Sequence, residues 1–501
     1  MAVYTGHLGG ITESVMQYNE LSGPAFVTFM FFALLFAALC SKTPTRSTPP
    51  YRDRDYLHIQ DLLNPEVRKH HLDFNAHLHD RFEGKRFVEV RGEPGTFVAF
   101  SYATCKEVMS DHASFSSNPF KDDRLVALNT MSKADHARVL KCVHKYYTQD
   151  AVQNLHGRVK EVIEKCTADL SAGKVDVVCW AKRIHMSGTL ARLGLNLDWE
   201  AVDEIVKLND AMVTLVAPLG GVGQRYSTLS RTWMLPFFSG LVRSIWPTLL
   251  MAWTLGLRCT WKIIRPDVTV LHPPPRPRMG LWWHPELLPL VPRYFLSLHR
   301  ILQQDSDGPL SGIKQGISNG DISLAEALTL MVQLMVNMTS ANALCSLVFR
   351  LATEKTAAKE VFADLPSLGD AFIQEVLRLD APLQRNPRRC VQVGPKWKAE
   401  GTEGVRVGSQ ILLFLGAANM DPAVFDGPQE FRLDRKGDQP ALTFGSGMHY
   451  CLGSSLVKLE MRLALEHLKK FSSIELSGDY ERLADVDVGN WGFCHLGVRL
   501  K

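Results

Sequence analysis

The chain has 501 residues, of which 46% are hydrophobic and 22% charged, with 56 Lys and Arg against 52 Asp and Glu. That composition supports a large buried core, and a net charge of +4 without a dense basic run excludes an electrostatic nucleic-acid surface. Ten cysteines with no Cys-x-x-Cys spacing exclude a disulfide framework or structural zinc site and fit a reducing compartment.

Residues 25–40 are apolar apart from Thr28, and widening the run to 21–41 reaches the ~20 residues that span a bilayer. Glu13 and Glu20 precede it, and Lys42, Arg46, Arg52 and Arg54 follow. The positive-inside rule then predicts a lumenal tail (1–20), a single membrane anchor (21–41) and a cytosolic remainder. The missing basic n-region favours an uncleaved anchor over a signal peptide. Three prolines make 42–55 a stiff linker to one catalytic unit over 56–501. The natural location is the endoplasmic-reticulum membrane.

Alternating residues over Phe87–Phe100, bent at Gly92, Pro94 and Gly95, predict a hairpin. A helix is expected over Ala103–Met109. Six of the ten tryptophans fall between Trp233 and Trp283, beside Arg258, Lys262 and Arg265. That mixture suits a membrane–water interface, so 219–299 is expected to be a membrane-dipping lid or a lineage-specific insertion. Residues 322–351 lack Pro and Gly, and Ser323 with Glu326 forms a capping box, so a long helix is expected there.

Glu375 and Arg378 stand three apart on one helix face, a spacing worth little by itself. Arg388-Arg389 and then Pro428-x-x-Phe431-x-x-x-Arg435 follow. The stretch Phe444-Gly-Ser-Gly-Met-His-Tyr-Cys-Leu-Gly453 is glycine-rich and places Cys451 at the expected start of a helix running to about Phe471. A helix N-terminus and free backbone N–H groups lower a thiol pKa. Trp491 and Phe493 close an apolar C-terminal turn and are candidate pocket residues, though core packing explains them equally well.

Phe444, Gly445, Gly447, His449, Cys451 and Gly453 together match the haem-binding loop of the cytochrome P-450 family. The chain resembles that family over about 56–218 and 300–501. The resemblance implies a mainly α fold with small β-sheets, haem b lying between the long central helix and the cysteine-ligand helix. It implies Cys451 as axial iron ligand, with Phe444, Gly445 and Gly453 around the sulfur and His449 at a propionate. His136, on a helix over 134–148, and Arg388, with Arg389 as alternate, are implied as further haem contacts. Glu375, Arg378 and Arg435 would form a structural triad, and Thr339 and Ser340 would stand in the oxygen-binding helix. Five residues depart from the family pattern: Leu140 replaces a propionate-binding arginine, with Lys141 adjacent; Met335-Val336 replaces Ala-Gly; Met338 replaces the acid before Thr339; and Met420 replaces a common arginine.

The implied activity is monooxygenation of a small lipophilic substrate, such as a terpenoid or polyketide of fungal secondary metabolism. Dioxygen and electrons from a separate NADPH-dependent cytochrome reductase would drive it. Met338 leaves open a haem-thiolate reaction without oxygen insertion: desaturation, rearrangement, coupling or peroxide-driven chemistry. A non-catalytic haem- or lipid-binding membrane protein is the remaining alternative.

Overall fold

Two small sheets flank a helical body in the computed structural model, which describes 51–118, Leu128, 131–220, 290–482 and 491–501, with interruptions at 65–66, 68, 169–172, 196, 337, 399–403 and 436–438. The expected tail, anchor and most of the linker lie outside these residues, as do 221–289 of the Trp- and Pro-rich stretch, Asn337 and 489–490.

The larger sheet has six strands: β1 (Leu57–His58), β2 (Val88–Arg91), β3 (Thr96–Ala99), β4 (Phe115–Ser116), β6 (Arg385–Cys390) and β7 (Gln410–Phe414). Their spatial order is β1-β2-β3-β7-β6-β4. The expected hairpin is the antiparallel β2–β3 pair, turned through Gly92 and Gly95 at φ of 86° and 78°. The second sheet sets β5 (Gly173–Asp176) and β8 (Ile474–Arg482) on either side of β9 (Phe493–Leu500).

The helices that carry the argument are α1 (His71–Arg81), α2 (Tyr102–Ser110), α3 (Lys133–Lys141), α4 (Val177–Arg192), α5 (Trp199–Gly220), α6 (Leu324–Leu334), α7 (Met338–Thr353), α8 (Leu365–Leu379) and α9 (Ser454–Leu468). α7 is buried along almost its whole length and shares one apolar core with α4, α8 and α9. At ~1.5–3 kcal/mol for each large apolar side chain removed from water, this cluster is the main stabilising mass of the fold.

Three helical expectations are corrected. The single helix expected over 322–351 is two, α6 and α7. The Ser323–Glu326 capping box starts α6, which ends at Met335 with φ −101° and ψ 8°. No Pro or Gly causes the break. Instead Asn209 Nδ2, on α5, donates to the Met335 carbonyl at 3.0 Å, an insertion into the hydrogen-bond ladder that local propensity does not encode. The same Nδ2 lies 3.1 Å from Tyr294 Oη, and Asn209 is 1% exposed. The helix expected over 134–148 ends at Lys141, with a 3-10 turn at His144–Tyr146. The helix after the cysteine begins at Ser454, so Cys451 belongs to the loop ahead of it.

A buried polar knot ties α1, α7 and α8 to the C-terminal strands. Arg350 donates to Asp380 at 2.6 and 3.2 Å. His71 Nε2 lies 3.1 Å from the Leu379 carbonyl, and its ring centre 3.8 Å from that of Trp491. Trp491 is therefore a packing residue here, 2% exposed. Arg482 reaches over the Trp491 and Phe493 rings at 4.7 and 4.1 Å.

Burial pulls the His71 imidazole down to about 4, Arg482 and Arg350 adding to the fall while Asp380 opposes it. A histidine held neutral when folded adds stability that is complete above its unfolded pKa of ~6.5 and lost as pH falls toward the folded value. Urea unfolding should therefore weaken between about pH 6.5 and pH 4, and His71→Asn should flatten that part of the profile; an unchanged slope would exclude His71 as its source. Asn209→Leu strands the Met335 carbonyl and should cost about 1–3 kcal/mol in the same assay.

Candidate active site

The loop before α9 is shaped by glycines where the backbone demands them. Gly447 has φ +73°, and a Cβ there would lie 3.1 Å from the Met109 carbonyl at the end of α2. That close approach lets the Met448 N–H donate to His112 Nε2 at 3.3 Å. Cys451 N–H donates to the Phe444 carbonyl at 2.9 Å, closing the loop on itself. The Phe444 ring packs on the main core and carries Lys458 Nζ at 5.3 Å.

Cys451 is exposed by surface area, yet burial is the chief influence on its thiol and pushes its pKa up. Both hold if the residue is set deep and faces an internal space. Backbone N–H groups of Gly453 and Ser454, with Arg192, pull the pKa back down. These are the groups that favour a thiolate over a thiol.

A cationic corner lies beside the loop. His449 has ring contacts with His136 at 4.9 Å and His112 at 5.7 Å, and its Nε2 lies 2.9 Å from Ser117 Oγ. Arg388 is 3% exposed and its Nη1 reaches only Asn386 Oδ1 and the Pro387 carbonyl, at 2.6 and 2.8 Å. Burial first, then Arg388, His136 and His112, drives the His449 imidazole down to about 3. Burial likewise brings Arg388 down to about 10. Among the described residues no carboxylate pairs with Arg388, and His449 Nδ1 is buried without a hydrogen-bond partner.

Arg389, next on strand β6, points to the opposite face. Its Nε lies 3.4 Å from the Asn118 carbonyl. The structure thus brings His136, His449 and Arg388 together and leaves Arg389 apart. His112 joins that corner from just beyond α2, a residue whose role no motif in the sequence marks. Lys141 is exposed, so it does not replace the guanidinium missing at Leu140.

Behind the loop, Glu375 binds two arginines. Arg378 donates through Nε and Nη2 at 2.8 and 2.7 Å, and Arg435 Nε at 2.8 Å. Arg378 also reaches the Asn419, Pro428 and Glu430 carbonyls at 2.9, 2.7 and 3.0 Å. Asn419 continues the network, accepting from Leu442 N–H at 2.6 Å and donating to Thr443 Oγ1 at 3.0 Å. Thr443 Oγ1 in turn donates to the Leu377 carbonyl at 2.6 Å. This chain of bonds runs from α8 to the residue before Phe444, and sequence reasoning missed Asn419 and Thr443 as its middle links.

Thr339 and Ser340 occupy the first turn of α7, directly after the break; Thr339 is half-buried and Ser340 buried. They make no hydrogen bond to the cationic corner among the described residues. Asn342, one turn on, packs against Gly492, where a Cβ would fall 2.0 Å from its side chain.

Residues 339–482 match the cytochrome P-450 family. Cytochrome P-450 144 of Mycobacterium tuberculosis is 34% identical over 207 residues, 41% of this chain and 45% of that relative. The biotin biosynthesis cytochrome P-450 of Bacillus subtilis is 36% identical over 121 residues, 23% of this chain and 28% of the relative. The chain therefore spans less than half the length of these curated relatives. The fold matches more broadly. An epothilone D-bound cytochrome P-450 superposes with TM-score 0.67 at 18% identity, covering 88% of this chain and 98% of that one. A Bacillus megaterium protein in complex with testosterone gives 0.65 at 16% identity, covering 87% and 99%.

Removing the Glu375 carboxylate would leave two guanidiniums facing each other in a buried site. Glu375→Ala should cost about 3–5 kcal/mol in urea unfolding; a loss below ~1 kcal/mol would mean the pair behaves as a surface ion pair.

Proposed function

We propose that this chain, which matches the cytochrome P-450 family over 339–482 and shares its fold, is a haem-thiolate monooxygenase acting on a small lipophilic substrate, of the terpenoid or polyketide kind. Electrons would come from a separate NADPH-dependent reductase. The observation that carries the reading is Cys451: surface-accessible, yet with burial as the chief influence on its thiol, and supplied with N–H groups that favour the thiolate.

Members of the family bind haem, and the side chains here fit it. Arg388 and His449 form a buried donor corner with no carboxylate of its own among the described residues. A haem propionate is the anion such a corner lacks. Arg388, His449 and His136 would hold it, Cys451 would ligate iron, and Phe444 would shield the sulfur. Haem held by a cysteine thiolate supplies dioxygen activation, the sulfur pushing electron density toward the metal.

The chain's own contribution on the other side is proton handling. Thr339 Oγ1 can donate a hydrogen bond and order water at the first turn of α7. Met338 beside it cannot titrate, so a proton reaching Thr339 Oγ1 has to pass through water or a substrate hydroxyl. Met335 is fully buried at the break, packed in the apolar cluster of α5 and α6. Met338 favours a second reading, a haem-thiolate reaction without oxygen insertion: desaturation, rearrangement, coupling or peroxide-driven chemistry.

Two fold neighbours are described with testosterone and with epothilone D, in keeping with a lipophilic substrate. The apolar run at 21–41 and the tryptophan-rich 219–299 would place the substrate entrance at the endoplasmic-reticulum membrane, with the catalytic unit in the cytosol. The described stretch long and apolar enough to cross a bilayer, Leu324–Thr353, is divided between a helix ending at Leu334 and one starting at Met338, and is packed largely in the core.

Reduced protein treated with carbon monoxide should show the red-shifted thiolate band, and Cys451→Ala should abolish it while leaving a folded chain. Persistence of the band in Cys451→Ala would defeat the assignment. With labelled dioxygen, label in the product supports monooxygenation, whereas turnover without label supports the second reading. Thr339→Ala should reduce product formed per electron consumed by roughly tenfold, the low end of the 10²–10⁴ range of general acid catalysis being softened by the missing acid.

A further inference from the structure

Arg192 closes α4 and is 4% exposed. Its guanidinium carbon lies 4.4 Å from the centre of the Tyr147 ring, and its Nε and Nη2 make no hydrogen bond. No carboxylate pairs with it among the described residues. A cation–π contact offsets only part of the cost of burying a charge, so the site is incomplete as an ion pair.

The helix geometry shows where this cation is aimed. His185, Gly188 and Arg192 stand at i, i+3 and i+7 and share one face of α4. That face lies against α9: His185 Nδ1 is 2.8 Å from Glu460 Oε2, and a Cβ on Gly188 would lie 2.4 Å from Glu460 Oε1. At the other end of the contact, Val177 and Trp180 line a small internal gap with Leu468. The two helices are therefore antiparallel, and advancing along α4 leads back along α9 toward its first turn. Arg192, two turns beyond His185, arrives at the Cys451 side. Packing agrees independently: Leu190 and Leu193, on either side of Arg192, share one apolar cluster with Leu140, Tyr147 and Leu452. Burial raises the Tyr147 phenol, and Arg192 lowers it by its charge and by a hydrogen bond.

We infer that Arg192 supplies the buried cation for an anionic group of bound haem on the Cys451 side, doing from α4 what a guanidinium at position 140 would do from α3. The inference rests on the haem-thiolate reading. Leu140 has become part of the apolar wall, and Lys141 points to solvent. The partner is one of two anions, the thiolate sulfur or a propionate carboxylate. Arg192 is a positioning residue: it touches no substrate and moves no proton.

The test uses the full-length holoprotein, with Arg192→Met, Arg192→Lys and the double variant Arg192→Met/Leu140→Arg. Haem transfer to apomyoglobin and the reduction potential are measured. If the partner is a propionate, Arg192→Met should lose haem about tenfold faster, and Leu140→Arg should restore retention. If it is the thiolate, the potential should fall by the equivalent of a tenfold one-electron change, about 59 mV, with haem loss unchanged. Arg192→Lys should lie nearer wild type in either case. Arg192→Met matching wild type in both readouts overturns the inference. So does haem loss that only follows a lowered melting temperature and is no better in Arg192→Lys. A wild-type protein lacking the thiolate band would instead defeat the haem-thiolate reading, so the two failures are separable.

Discussion

A carboxylate as deeply buried as Glu375, 4% exposed, stays in place only while cations and N–H groups surround it. Here the surrounding groups come from two parts of the chain. Arg378 is on its own helix, while the Arg432 N–H and Arg435 belong to a segment some sixty residues further on. Because Arg378 also grips the Pro428 and Glu430 carbonyls of that segment and the Asn419 carbonyl ahead of it, the ion pair fixes backbone as well as side chains. Asn419 and Thr443 pass the constraint to Leu442, two residues short of Phe444. The position of the Cys451 loop is thus inherited from α8 through a continuous series of hydrogen bonds.

The second side of the site is held differently. α7 carries Thr339 on its first turn and is fixed by apolar packing against α4, α8 and α9, while its start is set by a single amide. Asn209 takes the Met335 carbonyl that the end of α6 sets free. An interior helix break normally needs Pro, Gly or an inserted group; a buried asparagine is the inserted group here. Proximal loop and distal turn therefore answer to different physics, a charged lattice on one side and packing with one polar contact on the other.

Much of the arrangement was legible in sequence wherever the signal is local. The Phe444–Gly453 loop shows itself because six residue types are dictated within ten positions. Mainly helical architecture with small sheets followed from the family resemblance those motifs carry, while the capping box and the hairpin glycines placed one helix start and one hairpin. Contacts between segments far apart were not. Nothing near residue 209 announces that its amide ends a helix 126 positions later. Arg192 reads as an ordinary C-terminal helix cation, and only the packing of α4 on α9 turns it toward Cys451. Sequence preferred Arg388 with Arg389 as alternate; strand alternation sends the two to opposite faces, Arg388 toward His449 and Arg389 toward Asn118.

Asn209 carries a further consequence. Its Nδ2 bonds are shared between the Met335 carbonyl and Tyr294 Oη, which sits on the helix leading out of the tryptophan-rich stretch. Three segments meet at one amide, and hydrogen bonds of 3.0–3.1 Å have little slack. The pitch of α5, the helix Leu290–Gln303 and the origin of α7 therefore meet at one polar joint. A shift of any one of the three is passed to the turn that holds Thr339.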